Sequence, residues 1–144
     1  MTLDIGFATT PEDIAACMEV RRQVFVIGQN VDPDLDFDGL DDKAWHFIAR
    51  KDGKVVGTAR WIVDGPNVKF GRLSVLDEVR GQGIGTLIFD RMVQEMRDRP
   101  ELKYAKLSSQ IRPMHVYRER GFVEVGERYM DAGMEHQNME QYFD

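Results

Sequence analysis

The chain has 144 residues and a formal net charge of −6, with 42% hydrophobic and 31% charged residues, the balance of a folded domain with a real core. No apolar run approaches the roughly 20 residues that span a bilayer. No lysine and arginine cluster offers a nucleic-acid face, and the N-terminal segment has no basic region followed by an apolar one, so neither a membrane, a nucleic acid nor a secretory route is expected.

The lone cysteine, Cys17, leaves no intrachain disulfide framework or cysteine zinc site, and a reducing cytoplasm is the expected setting. One domain is expected over residues 1–144. The stretch DIGFAT reads as a first strand. Thr10 is a predicted N-cap, with Pro11 at the first helical position and Glu12 and Asp13 in the first turn. Ile14, Met18, Arg21 and Phe25 follow at helical spacing, which predicts a helix to about Ile27. Cys17 falls on its apolar face as a buried structural thiol. The acidic stretch after it, DLDFDGLDD from Asp34, reads as a solvated or acceptor-facing loop. It imitates the opening of a calcium loop, but Trp45 stands where a bidentate glutamate is required, so no metal is expected.

AWHFIAR and KVVGTARWIVD flank Asp52-Gly53, a two-residue hairpin signal. DGPN makes the next turn, and VKFGRLSVL is the third strand of a meander. A glycine-rich loop follows, then a helix with Ile84, Leu87, Ile88, Met92 and Met96 on one face, ended by Arg99-Pro100. KYAKLSS is the next strand, and PMHVYRERG is a short helix stopped at Gly121. FVEVGERYM and MEHQNMEQYF close the chain as a strand pair. The order predicts an α+β fold: a mixed, mostly antiparallel sheet with one right-handed parallel crossover, flanked by helices.

The loop RGQGIG, Arg80 to Gly85, lies between a strand and a helix. The first turn of a helix carries unpaired N–H groups and the positive end of the dipole, and glycines let a bulky anion approach them. Arg80 adds a charge-assisted donor. The loop is neither a Walker motif nor the dinucleotide fingerprint. A phosphate cradle and a tight turn without a ligand both fit these residues.

Arg-x-x-Gly-x-Gly, placed after RLSVLDEV, resembles the acyl-CoA pyrophosphate loop of the GNAT superfamily of N-acetyltransferases. VYRERGF, Val116 to Phe122, resembles a second motif of that superfamily, and the order of elements agrees along the whole chain. VRRQVFVIGQN, the acidic stretch and the closing GMEH resemble the small ElaA-like branch, with Arg21, Phe25 and Gln29 at the matching positions.

The resemblance implies a GNAT fold whose central parallel strands splay around acyl-CoA, with acetyl-CoA as cosubstrate and direct transfer to a small-molecule or peptide amine. Leu73 and Val75 would pair with pantetheine, and the Val75 N–H would face the thioester oxygen. Arg80, Gly81, Gln82, Gly83, Ile84, Gly85 and Thr86 would bind the pyrophosphate. Tyr117 would protonate the departing thiolate, or serve as a core tyrosine. Arg21, Phe25, Asp36, Asp38 and His136 would line the acceptor side. Arg21 needs a partner, Asp36 or Asp38, or else snorkels off the edge of its stripe. His46, His136 and Glu135 are candidate bases, each of which also fits a structural role, and His115 is a weaker one. A non-catalytic acyl-CoA sensor and an acyl-homoserine-lactone-synthase-like acyltransferase share the scaffold. The sequence is compatible with a homodimer through the sheet or the C-terminal strands.

Overall fold

The computed structural model describes residues 2–143. Strands β1 (Leu3–Ala8), β2 (Trp45–Lys51), β3 (Lys54–Asp64) and β4 (Asn67–Val75) form an antiparallel meander. Strand β5 (Tyr104–Gln110) runs parallel to β4, and β6 (Val123–Asp131) with β7 (Met134–Tyr142) forms a hairpin. The seven strands share one sheet in the order β1-β2-β3-β4-β5-β7-β6, so β7 inserts between β5 and β6. The helices are α1 (Pro11–Arg21), α2 (Pro33–Asp36), α3 (Ile84–Arg97) and α4 (Met114–Glu119). This is the mixed, mostly antiparallel sheet with one parallel pair that the sequence predicts. Among the described residues no helix is long and apolar enough to cross a membrane.

Local chemistry places these elements. Thr10 accepts the Asp13 N–H at 3.1 Å, with Pro11 opening the helix. Asp52 and Gly53 both take positive φ, as a tight two-residue hairpin turn demands. Helix α3 lies so close to the sheet that a Cβ on Gly57 would stand 2.8 Å from Ile88 Cδ1. Its buried rows are Ile84, Ile88, Met92 and Met96 beside Phe89 and Val93. Leu87, predicted on that face, is 45% exposed, because it lies one row beyond the ridge that the i,i+4 set defines.

The predicted first helix keeps its length but changes winding. From Arg22 to Gly28 it continues as a π-helical turn, and both Gln29 and Val31 donate to the Phe25 carbonyl. The acidic stretch is not a solvated loop. Asp32 accepts the Asp34 N–H, Pro33 starts α2, and Asp36, Asp38 and Asp41 are taken up by arginines, while Asp34 and Asp42 stay exposed. Arg21 is 1% exposed and reaches Asp41 at 2.6 Å and Asp36 at 3.4 Å. Arg60 holds Asp38 and Asp41 at 2.7 and 3.0 Å, and Arg72 holds Asp36 and Asp38 at 3.1 and 3.2 Å. Of the two partners predicted for Arg21, Asp36 is found and Asp38 is bound elsewhere.

Strands β4 and β5 pair only over Asn67–Phe70 and Tyr104–Leu107, and beyond that register they part. At the point of parting β4 carries a bulge. Arg72 and Leu73 together oppose Ala59, and Arg72 has φ +54. The Arg72 guanidinium, fixed by the Asp36 and Asp38 carboxylates and by the Leu35 and Asp36 carbonyls, anchors this turn of backbone.

Arg21→Met should therefore lower stability by up to about 3–5 kcal/mol in chemical denaturation, because it takes one of two guanidinium partners from the buried Asp36 carboxylate and from Asp41. Hydrogen bonds from Arg60 hold the Asp38 carboxyl well below the usual carboxylate range. Burial alone would raise Asp41, but Arg21 and Arg60 outweigh it and hold it low. A depressed carboxylate contributes stability that is complete above its unfolded-state pKa and is lost as pH falls through the folded one. The decline in denaturation midpoint below about pH 4 should accordingly be shallower in Asp38→Asn than in wild type.

Candidate active site

The gap between the parted strands opens into a cleft of about 480 Å³ that runs through the sheet. Residues 73–75 of β4 form one wall, and Ser108, Ser109 and Gln110 of β5 form the other. The π-helical turn and α2 contribute Phe25, Gln29 and Leu35 on one face, while α3 and α4 contribute Phe89, Met92 and Tyr117 on the opposite face.

The bulge decides which backbone groups face the gap. Leu76 donates its N–H to Val56 of β3 at 2.8 Å. Successive N–H groups of a strand point to alternate edges. The Val75 N–H is therefore aimed at the opposite edge, where β5 has departed.

Next to this edge stands the glycine loop. Gly83 is the N-cap residue of α3 with φ +77, and no side chain caps it. The N–H groups of Ile84, Gly85 and Thr86 fall in the first turn, where no intrahelical partner exists. Gly81 and Gly83 both lie in the left-handed region, where an L side chain is strained, whereas Gly85 does not. The Ile84 side chain is sunk in the core, leaving only its backbone for a ligand. Arg80 lines the cleft while pairing with Asp77 at 2.9 Å, and Lys51 reaches the loop by donating to Gln82 at 2.7 Å. This end of the cleft thus combines amides, a helix dipole and two cations, a set suited to a phosphorylated ligand.

At the other wall Tyr117 is 8% exposed, its ring centroid 4.7 Å from that of Phe89. Burial pushes its phenol up to about 12, so the hydroxyl keeps its proton across the whole working range of pH. His136 also lines the cleft, with Nδ1 2.8 Å from the Met134 carbonyl.

Leu73, Val75, Arg80, Tyr117, Phe25, Asp36 and His136 are brought together around one space. Gly81, Gln82, Gly83, Gly85 and Thr86 are not among its lining residues; they follow Arg80 as the loop and first helical turn, where a Cβ on Gly85 would stand 3.5 Å from Val75 Cγ2. Arg21 and Asp38 stay outside the lining, consumed by the ion cluster, and the Asp36 carboxylate, though at the rim, is bound by Arg21 and Arg72. The other histidines sit elsewhere: His46 is buried with Nε2 3.0 Å from the Asp41 carbonyl, and His115 is exposed on α4. Glu135 pairs with Arg128 at 3.6 Å. Sequence reasoning gave no site role to Gln110, Ser108 or Arg112, which also line the cleft. Gln110 donates to Gln29 at 3.0 Å and so ties β5 to the π-helical turn. The polar run Ser108-Ser109-Gln110, which closes the strand after Leu107, was the signal available.

Residues 31–143 match the family model of the acetyltransferase (GNAT) domain. The chain is 36% identical over 129 residues to the UPF0039 protein sll0451 of Synechocystis sp., covering 85% of this chain and 81% of that protein. The crystal structure of Escherichia coli ElaA aligns with a TM-score of 0.86 at 25% identity, covering 97% of this chain and 99% of that one. An acyl-CoA N-acyltransferase from Pseudomonas aeruginosa aligns with a TM-score of 0.86 at 28% identity, with the same coverage of 97% and 99%.

Two glycines of the loop should respond differently to the same methyl group. Gly83→Ala forces an L residue into the left-handed region and should cost about 1–2 kcal/mol. Gly85→Ala would meet Val75 Cγ2 at an ordinary 3.5 Å inside a helix, so stability should hold or rise by up to about 1 kcal/mol. Urea denaturation of the two variants measures both.

Proposed function

The chain belongs to the GNAT acetyltransferase family, and from that premise we propose that it moves an acetyl group from acetyl-CoA directly to an amine, with residues 1–144 as one catalytic domain. The observation that carries this is the unpaired edge of β4, which sets the Val75 N–H beside the uncapped first turn of α3 on one cleft. Acetyl-CoA brings an activated thioester, and the groups lining the cleft are those its transfer needs.

In this reading the amides of the glycine loop and of Ile84, Gly85 and Thr86 bind the pyrophosphate, with Arg80 adding a cation. Leu73 and Val75 align pantetheine along the open strand. The Val75 N–H donates to the thioester oxygen as negative charge gathers there. The Tyr117 hydroxyl, protonated because it is buried, is the proton source for the leaving sulfur. Phe25, Gln29, Gln110 and His136 bound the opposite face of the cleft, from which the amine enters. Arg21, Asp36 and Asp38 shape that entrance from behind rather than touch the acceptor.

The test joins calorimetry with CoA to acetyl-transfer assays over alkylamines, polyamines, amino acids and peptides. CoA binding with transfer to at least one acceptor is expected. Binding without transfer to any of them would mark a sensor, and no binding would remove the CoA assignment.

Tyr117→Phe keeps the ring and deletes the hydroxyl, so it should lower kcat by at least about tenfold with little change in CoA affinity. Wild-type kcat in the folded variant would make Tyr117 a packing residue.

A further inference from the structure

We propose that His136 is the general base, taking the proton of the incoming ammonium at Nε2. This rests on the acetyl-transfer reading above. An alkylamine is protonated at neutral pH and cannot attack until it loses a proton, so the cleft must hold an acceptor for it.

The inventory of the cleft leaves few choices. Arg72, Arg80 and Arg112 only donate. The Asp36 carboxylate is bound by Arg21 and Arg72. Asp131 lies exposed at the rim. His136, 8% exposed, is the one imidazole among the lining residues.

Its surroundings fix which nitrogen is basic. Nδ1 lies 2.8 Å from the Met134 carbonyl, and a carbonyl only accepts. Nδ1 therefore carries the hydrogen in the neutral ring, and the lone pair is on Nε2, which has no partner among the described residues. The ring is also held in place. It stacks on Tyr129 at 6.0 Å between centroids, and Tyr129 is tied by its hydroxyl to Ser108 and Asn138. On the sheet His136 stands directly opposite Gln110 on one side and Tyr129 on the other. Cross-strand partners share a face. His136 thus shares the face of Gln110, the residue bonded to Gln29 of the π-helical turn, and this is the acceptor side of the cleft. The charged neighbours are few: Glu135 precedes it on β7 but pairs with Arg128 of β6, and Arg112 and Asp131 line the same cleft.

The protons balance. The ammonium gives one to Nε2, and the nitrogen releases a second as the N–C bond forms and the C–S bond breaks. The departing sulfur takes one from the Tyr117 hydroxyl, which the second nitrogen proton replaces through water. The imidazolium returns its own to solvent, so the net change is one proton released for each acetyl group transferred.

The experiment compares two acceptors in wild type and His136→Gln: n-butylamine, protonated at pH 7, and hydroxylamine, largely neutral there. Loss of the base should reduce kcat/KM for n-butylamine by at least about 100-fold and for hydroxylamine by a few-fold at most. With n-butylamine the variant's rate should instead climb with pH in step with the fraction of free amine, with no plateau set by the enzyme, while CoA affinity by calorimetry stays as in wild type. Equal losses with both acceptors would assign His136 a structural role and overturn the proposal. Nitrogen NMR of the labelled imidazole tests it without any acceptor: a neutral ring protonated at Nδ1 is expected, and one protonated at Nε2 overturns it. Wild-type protein that binds CoA but acetylates none of the amines tested would instead bring down the transfer reading, and the base with it.

Discussion

Everything about the cleft follows from the point where β4 stops pairing with β5. Two parallel strands that stayed together would exchange hydrogen bonds along their full length and leave no room for a ligand. Here the register ends at Phe70 and Leu107, and the bulge at Arg72 and Leu73 turns the strand away. A non-glycine residue at φ +54 costs about 1–2 kcal/mol of backbone energy. The interaction that offsets it is the grip of the acidic stretch on the Arg72 side chain. Arg21 and Arg60, reaching the same stretch from α1 and β3, complete a cluster in which arginine and aspartate charges interleave. The residues most suggestive of a cation-seeking surface are in fact the anchor that keeps the sheet open.

A second constraint comes from the aromatic core. Phe47, Trp61, Phe70 and Phe89 are in ring contact in succession, and Tyr117 and Phe122 join at Phe89. Arg99 lies over Phe7, Trp45 and Trp61 at the far end. The series spans the sheet from its meander to α4. It fixes the Tyr117 ring through packing, so the hydroxyl meets the cleft at a defined place, and the same packing removes water and keeps the phenol protonated.

Much of this was legible in the sequence because it is encoded locally. Thr10 with Pro11, Asp52 with Gly53, the loop glycines and the heptad-like row from Ile84 to Met96 each announce an element within a few residues. The short α2 was not anticipated, because the density of aspartates around it suggested a solvated or acceptor-facing loop. What could not be read locally was pairing across the chain. Arg21 and Asp41 are 20 positions apart, Arg72 and Asp36 are 36, and Gln29 and Gln110 are 81. A charge in a helix stripe says that it needs a partner, not which one. The bulge hides for a similar reason: Arg72 and Leu73 look like ordinary strand residues, and only the opposing Ala59 makes them two against one. The Gly85 methyl contact and the exposed Leu87 depend on how closely a helix sits on the sheet, which periodicity does not specify.

The insertion of β7 between β5 and β6 bears on how the protein folds. Strand β5 shares only a short register with β4, so most of its length is held by β7, whose residues lie 26 to 38 positions further along, from the Gln110–His136 pair to the Tyr104–Tyr142 pair. The β6–β7 hairpin closes locally, but its attachment to β5 is a long-range event that must await loop closure around α4. The part of the cleft that β7 supplies, Met134 and His136, is therefore complete only once the hairpin has paired with β5. Because a molecule lodged in the gap would touch both parts, it would favour the docked state over the undocked one. Ligand binding and the last step of assembly would then be linked through a single interface.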